Sequence, residues 1–332
     1  MDIFPTQYSL LSAEALNHAI RDAYGFKNTT CTFLIHNVSD TYVFEDQNAK
    51  YIFRVYRNSH RSLTEIEGEI ELLKALHEGG AKVSYPITDL QSNQVQFFNA
   101  AEGTRYGVLF SFAPGKVIPD PNHDQLRLIG REMGKIHNIS SAIILANDRR
   151  PYTIETTLTE PLKTIIPAFK GLPEQYDYLV NTAKIAEEQI RKFDLTKFSM
   201  GYCHYDTFPK NFHITDDNKI TFFDFDFAGY GLLANDLMVF YVHFFIEIYY
   251  HKLPRQKADE DFKVFLDAYR SARPLSDEEV KAIPILGFAF WIFYLGFQYR
   301  NFDEWSNYFF GNKYLTDRTA LIKLWVDWYC KF

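Results

Sequence analysis

The sequence predicts an α+β protein in two parts: a small antiparallel β-rich N-terminal lobe over residues 1–112 and a large, mostly helical C-terminal lobe over 113–332. Three observations predict it. Short apolar segments separated by turn clusters, TFLIH, TYVFE and KYIFRVY, have the spacing of an antiparallel meander. The segment APGK, with Pro114 and Gly115, breaks that pattern and puts a hinge near 111–116. Beyond it, apolar residues recur at helical spacing.

Each element has its own signal. SAEALNHAIRDAY, 12–24, reads as an opening helix before the meander. TEIEGEIELLKALHEGG sets Ile66, Ile70, Leu73 and Leu76 on one helical face, with Gly79 and Gly80 as the stop. Two more strands are expected around 95–98 and 106–112. HDQLRLIGREMGKIHNIS carries Leu126, Ile129, Met133 and Ile136 at helical spacing. A polar loop and hairpin interrupt at 201–227. Helices resume with LLANDLMVFYVHFFIEIYY and with SDEEVKAIPILGFAFWIFYLGFQYR, where Ser276 and Glu279 form a capping box. The uncharged run 282–297 falls short of the ~20 residues a bilayer requires, so a buried helix of the core is expected, not a membrane span.

Composition narrows the function. The 332 residues, 47% apolar, can bury a large core and exclude a disordered chain. With 31 Phe, 22 Tyr and 4 Trp, aromatics are expected to line the pockets. A net charge of −7 without a basic run excludes a nucleic-acid partner. Cys31, Cys203 and Cys330 form neither a disulfide framework nor a zinc site, which suits a reducing compartment. The opening MDIFPTQYSL lacks the basic and apolar regions of a secretory signal, and a cytoplasmic chain is expected.

The chemistry concentrates in GYCHYDTFPKNFHITDDNKITFFDFDFAGYG, residues 201–231. Phosphoryl transfer needs a carboxylate to orient a hydroxyl, hard oxygen ligands for Mg2+, and a cation for the phosphates. Asp206, Asn211 and Asp224 meet the first two demands. Ile220, Phe222 and Asp224 would share one strand face, so a hairpin would return Asp224 beside Asn211.

The succession His204, Asp206, Asn211, a hairpin, Asp224 and the pair Asp236-Leu237 resembles the signature of the aminoglycoside phosphotransferase and choline kinase superfamily. The resemblance implies a two-lobed protein-kinase-like fold and a kinase that uses ATP and Mg2+ on a small-molecule hydroxyl acceptor. It implies that Asp206 orients or deprotonates the acceptor, that Asn211 and Asp224 hold the metal, and that His204 and Asp236 brace the loop. Arg54 takes the strand position of the family's phosphate-contacting Lys, with Glu69 as its helix partner. LFSFAPG takes the place of the hinge, where backbone groups of Ser111 to Ala113 would meet adenine. The helix ending at His137 matches the first helix of the large lobe. Four features depart from the pattern. Arg replaces Lys at 54, and the loop HNVSD lacks glycine, leaving Asn37 and Ser39 as its phosphate contacts. Tyr205 stands where the family has Gly, and Asp226 follows so closely on Asp224 that the metal role can be shared.

Blander readings compete. Asp206 and Asn211 can cap their own loop. Arg54 can be a solvated strand charge, and Glu69, between Glu67 and Glu71, part of a solvated helix face. Trp291, Tyr294 and Leu295 can be plain core. His204 and Asp206 with His243 or His251 imitate the two-His-one-carboxylate triad of iron oxygenases. A non-catalytic nucleotide-binding protein and a protein Ser/Thr kinase are alternatives on the same fold. For the acceptor, Trp291, Tyr294, Tyr299 and Trp305 near Asp303 and Glu304 suit a cationic alcohol, an amine or quaternary ammonium.

Overall fold

The chain divides at the APGK break. One unit runs to Pro114 and also takes in Ile144–Arg149 and Thr221–Phe223; the other comprises Gly115–Ile143, Arg150–Ile220 and Asp224–Phe332. The structure, a computed structural model, describes residues 4–47, 49–57, 59–147, 149–301 and 310–332.

In the first unit, helix α1 (Ala13–Tyr24) starts at Ser12, whose Oγ accepts the Ala15 N–H, and stops at Gly25 with φ +72°. Strands β1 (Thr30–His36), β2 (Ser39–Glu45) and β3 (Lys50–Tyr56) form the expected meander. Helix α2 (Leu63–Glu78) follows, opened by a reciprocal Ser62–Glu65 capping box. Strands β4 (Gln96–Ala100) and β5 (Gly103–Ser111) complete an antiparallel sheet of order β1-β2-β3-β5-β4. Side-chain alternation brings Tyr42, Phe44, Phe53, Val55 and Leu109 to one face, where Leu16, Ile20 and Tyr24 of α1 close on them. Each fully buried side chain of this size contributes about 1.5–3 kcal/mol.

Ile144–Arg149 joins this unit through α2. Glu71 accepts the Ala146 N–H at 2.8 Å and the Asn147 amide at 2.6 Å, while Arg149 donates to the Glu65 carbonyl at 2.6 Å. A Cβ at Gly68 would stand 2.2 Å from the Asn147 carbonyl oxygen, so only glycine admits the approach.

The second unit is built on helices α3 (His123–Ser140), α4 (Glu160–Ile165) and α5 (Pro173–Ile190). The short strands β6 (Met200–Cys203), β7 (Phe212–Ile214), β8 (Ile220–Phe222) and β9 (Gly229–Leu232) come next in the chain, with Thr221 and Phe222 of β8 counted in the first unit. Helices α6 (Ala234–Tyr249), α7 (Arg255–Ala272), α8 (Asp277–Asn301) and α9 (Asn312–Tyr329) complete the described chain. β6 pairs antiparallel with β9, and β7 and β8 flank a turn in which the Thr215 N–H donates to the Lys219 carbonyl at 2.9 Å. α8 carries the expected Ser276–Glu279 capping box; Glu279 also accepts the Ser199 N–H at 2.9 Å. α8 is long and apolar enough to cross a membrane, but 72% of its most apolar window is buried inside the protein, as expected of a core helix.

Helix α3 packs closely against α7. A Cβ on Gly130 would meet the Phe265 carbonyl oxygen at 2.4 Å, and one on Gly134 the Ala272 Cβ at 2.9 Å. The same face carries His137 one turn on, and the close approach delivers its ring to Tyr269 of α7. Gly130→Ala is expected to destabilise the helical unit by about 1–3 kcal/mol through overpacking, read as a lower midpoint in urea or thermal unfolding. An unchanged midpoint would show that α7 yields without cost.

Candidate active site

The segment after β6 is fixed from beneath by one carboxylate. Asp236, on the first turn of α6 and 1% exposed, accepts the backbone N–H of His204 at 2.9 Å and of Tyr205 at 2.7 Å. His137 Nε2 lies 2.9 Å from the same carboxylate, and its Nδ1 lies 2.8 Å from the Tyr269 hydroxyl. With Nε2 donating to Asp236, Nδ1 accepts from Tyr269. The Thr207 hydroxyl donates to the Asp236 backbone carbonyl at 2.8 Å. Burial opposes the Asp236 charge, but the His137 hydrogen bond, the His137 and His204 rings and the His204 N–H outweigh it, and its pKa lies below the ordinary value.

Tyr205 takes a left-handed backbone, φ +62°, which explains why glycine suits this position. Its ring compensates. It is buried, stacks on Tyr152 at 3.5 Å between centroids, and meets Phe293 edge-on at 5.2 Å.

Asp206, 8% exposed, follows directly. Its N–H reaches His204 Nδ1 at 3.3 Å. Asn211 Nδ2 donates to its Oδ2 at 2.6 Å and to its carbonyl at 2.8 Å, while Lys210 Nζ stands 3.1 Å from Oδ2. Burial raises the Asp206 pKa and the nearby Asp224 charge adds to this, against the lowering effect of Lys210. Burial works against the charge of Lys210, but Asp206 and Asp224 prevail and raise its pKa.

The structure thus pairs Asp206 with Asn211 and holds Asp224 near enough for its charge to act on both Asp206 and Lys210. The expected strand face is corrected in one respect. β8 ends at Phe222, and Asp224 sits beyond it at φ +64°, in a left-handed kink that ends the strand and re-aims the carboxylate. Asp224 is half-buried, whereas Asp226 is 3% exposed.

Arg54 and Glu69, in the other unit, form a buried ion pair at 3.0 Å. Glu69 is 1% exposed and also accepts the Tyr56 hydroxyl at 3.0 Å, so neither residue belongs to a solvated face. The Arg54 guanidinium lies over Phe110 at 5.4 Å. Asn37 and Val38 make the β1–β2 turn, with the Asn37 N–H donating to the Ser39 carbonyl at 3.0 Å; Asn37 is exposed and Ser39 buried. At the end of β5, the Ser111 N–H donates to the Tyr85 carbonyl at 2.9 Å, and its carbonyl accepts the Ser84 hydroxyl at 2.6 Å. Ser111 Oγ accepts the Tyr85 N–H at 3.0 Å. Ala113 is buried.

Two residues escaped the sequence reading. Lys210 lies inside the loop motif, next to Asn211, and its position was signal enough. Arg318, on α9, had none: it reaches the site only through the fold. Both line a cavity of about 460 Å3 with Asp206, Phe290, Trp291 and Tyr294. Asp303, Glu304 and Trp305, expected near the acceptor, lie outside the described residues, and Tyr299 packs on Phe310 at 5.8 Å. The iron triad finds no counterpart: among the described residues, His, Cys, Asp and Glu form no group of three or more that could hold a metal unaided.

Residues 30–275 match the model of the Phosphotransferase enzyme family (APH), and the chain belongs to that family. It is a phosphotransferase acting on hydroxyl groups of small molecules. An uncharacterised protein of Deinococcus radiodurans is 28% identical over 285 residues, 85% of this chain and 80% of that one. The amicoumacin kinase of Bacillus subtilis is 27% identical over 224 residues, 65% of this chain and 63% of that one. The structure of an amicoumacin kinase in complex with AMP-PNP, Ca2+ and Ami matches with a TM-score of 0.77 at 21% identity, covering 96% of this chain and 94% of that one. The fold is therefore the two-lobed protein-kinase-like fold.

Asp236→Ala would leave three donors without their acceptor, and is expected to cost about 3–5 kcal/mol at neutral pH. Because the folded pKa of Asp236 lies below the unfolded one, its stabilisation is complete above the ordinary value of 3.8 and is lost as pH falls through the folded value. Denaturant titrations should therefore show a constant gap between wild type and variant that narrows only below about pH 4. A gap that already narrowed between about pH 8 and 5 would show that the Asp236 charge is not what the variant removes.

Proposed function

We propose that this protein is an ATP- and Mg2+-dependent kinase that moves the γ-phosphoryl group of ATP to a hydroxyl of a small molecule. The observation that carries the reading is the buried Asp206 carboxylate, held by Asn211 and facing a cavity large enough for a small acceptor. Asp206 accepts the acceptor's proton as the new O–P bond forms; the bond to the β-phosphate oxygen breaks and ADP leaves with that electron pair. Its raised pKa suits a base, since a carboxylate closer to the working pH takes a proton more readily.

The donor set fits Mg2+. Asn211 spends its amide nitrogen on Asp206, which leaves Oδ1 as a hard oxygen ligand, and Asp224 adds a half-exposed carboxylate. Mg2+ usually takes one or two protein carboxylates and completes its shell with water and phosphate, so a larger acidic cluster is not needed. When bound, the ion neutralises the phosphate oxygens. Arg54, braced by Glu69, supplies the cation for the nucleotide phosphates, with Asn37 and Ser39 at the loop. Adenine is received by the Ser111 carbonyl and the Ala113 backbone. The three free cysteines, two of them buried with thiols that burial keeps protonated, suit a reducing cytoplasm.

Asp206→Asn is expected to lower transfer about 100- to 10,000-fold while AMP-PNP binding, measured by calorimetry, persists. Turnover within a few-fold of wild type would remove Asp206 from the chemistry. Asn211→Ala and Asp224→Ala should each raise the Mg2+ concentration for half-maximal activity, with Asp226→Ala doing less. If Asp226 had the larger effect in the same Mg2+ titration, it would replace Asp224 as the metal carboxylate.

A further inference from the structure

The cavity in front of Asp206 has an uneven charge. Among the described residues that line it, Asp206 is the one carboxylate, against the side chains of Lys210, Arg318 and His243. Lys210 is matched to Asp206 at 3.1 Å. Burial pushes the His243 imidazole below its ordinary value, more than the Glu247 charge restores, which favours the neutral ring. Arg318 is the cation left over.

Its setting resembles a prepared site more than a stray surface charge. The guanidinium lies over Trp291 at 5.3 Å and over Tyr314 at 5.2 Å, and Tyr314 is tied in turn to Gln298 by its hydroxyl. The two rings hold the guanidinium through its charge, and its N–H donors lie in a fixed fork along its edge. Among the described residues, that edge has no carboxylate or carbonyl partner. A fork held by aromatic faces with its donors unused matches the two oxygens of a planar carboxylate, or of a phosphate, in bidentate geometry. The same stacking argues against the cationic acceptor expected from the sequence. The face of Trp291, the largest aromatic in the wall, is already covered by a cation of the protein, and Trp291 is 2% exposed. An incoming ammonium would meet like charge there.

We infer that the acceptor is a small alcohol carrying an anionic oxyacid group, with its hydroxyl at Asp206 and its anion on the edge of Arg318. The inference rests on the phosphotransferase reading of the site and adds to it the class of substrate. Phe290 and Tyr294 then flank the carbon skeleton between the two ends, and Arg318 acts in binding, not in the chemical step.

The test is a matched panel of alcohols: glycerate and glycerol phosphate as anions, glycerol as the neutral member, ethanolamine and choline as cations. ADP release is measured with ATP and Mg2+, and binding of each compound is measured by calorimetry with and without AMP-PNP. The anionic members should bind most tightly and have the lowest KM, and the better of the two anions identifies carboxylate or phosphate as the group read. Arg318→Gln should raise the KM of the preferred anion about 10- to 100-fold, the worth of a charged hydrogen-bond pair, with kcat changed little. Arg318→Lys, which keeps the charge and the helix, should recover part of the loss. A preference for a neutral or cationic alcohol, an unchanged KM in Arg318→Gln, or no binding of either anion would each overturn the inference. Failure of Mg2+–AMP-PNP to bind would instead overturn the kinase reading, and the calorimetry of the anions on the chain alone would still decide the role of Arg318.

Discussion

The geometry of the helical unit depends on burying one charge, the carboxylate of Asp236. A buried carboxylate is tolerated only when its lone pairs are met, because desolvation otherwise exceeds any pairwise gain. Here the donors are the His137 ring and the N–H groups of His204 and Tyr205. They come from separate stretches of chain, so satisfying Asp236 fixes α3, α6 and the loop before Asp206 to one another. α7 enters through Tyr269, whose hydroxyl meets His137 Nδ1 at 2.8 Å. This in turn requires α3 and α7 to lie close, which Gly130 and Gly134 allow. The position of Asp206 is therefore a consequence of helix packing.

Backbone strain appears where this demand is sharpest. Successive N–H groups converge on an anion when one residue of the pair adopts the left-handed conformation. Tyr205 does so at φ +62°, a conformation that costs a non-glycine residue roughly 1–2 kcal/mol. An aromatic contact is worth about 0.5–1.5 kcal/mol beyond its buried area, and Tyr205 has a close stack on Tyr152 as well as its contact with Phe293. Tyrosine at a glycine position is thus a balanced exchange: the side chain offsets the strain its own Cβ introduces. It also makes the loop stiffer than a glycine would.

Much of this was legible in the sequence. The helix over 123–140 and the Ser276–Glu279 capping box are local patterns, and local patterns survive folding when caps and periodicity agree. The succession from His204 to Asp236 was readable as a motif, although nothing local says that Asp236 binds two backbone groups. Other features depend on tertiary structure alone. Glu67, Glu69 and Glu71 look alike along α2, yet only Glu69 is fully buried, because Arg54 and Tyr56 of β3 meet it there. The strand expected to carry Asp224 stops two residues early, since a left-handed residue cannot continue a ladder. Arg318 was invisible because neither its neighbours on α9 nor its spacing marks it; Trp291 and Tyr314 do, and they are assembled by folding.

The contacts at Asp206 divide into two kinds, and the division bears on how the site works. The Asn211 bonds are buried, short and doubled, so they set the orientation of the carboxylate and would be costly to break. The Lys210 contact is different: its side chain is 62% exposed, and an exposed ion pair is worth little and exchanges readily. Asn211 therefore governs geometry, while Lys210 balances charge. A carboxylate held by a buried neutral amide keeps its direction whatever its ionic partner. On the proposed reading, with Asn211 and Lys210 both at Oδ2, Oδ1 is the oxygen that would meet an incoming hydroxyl.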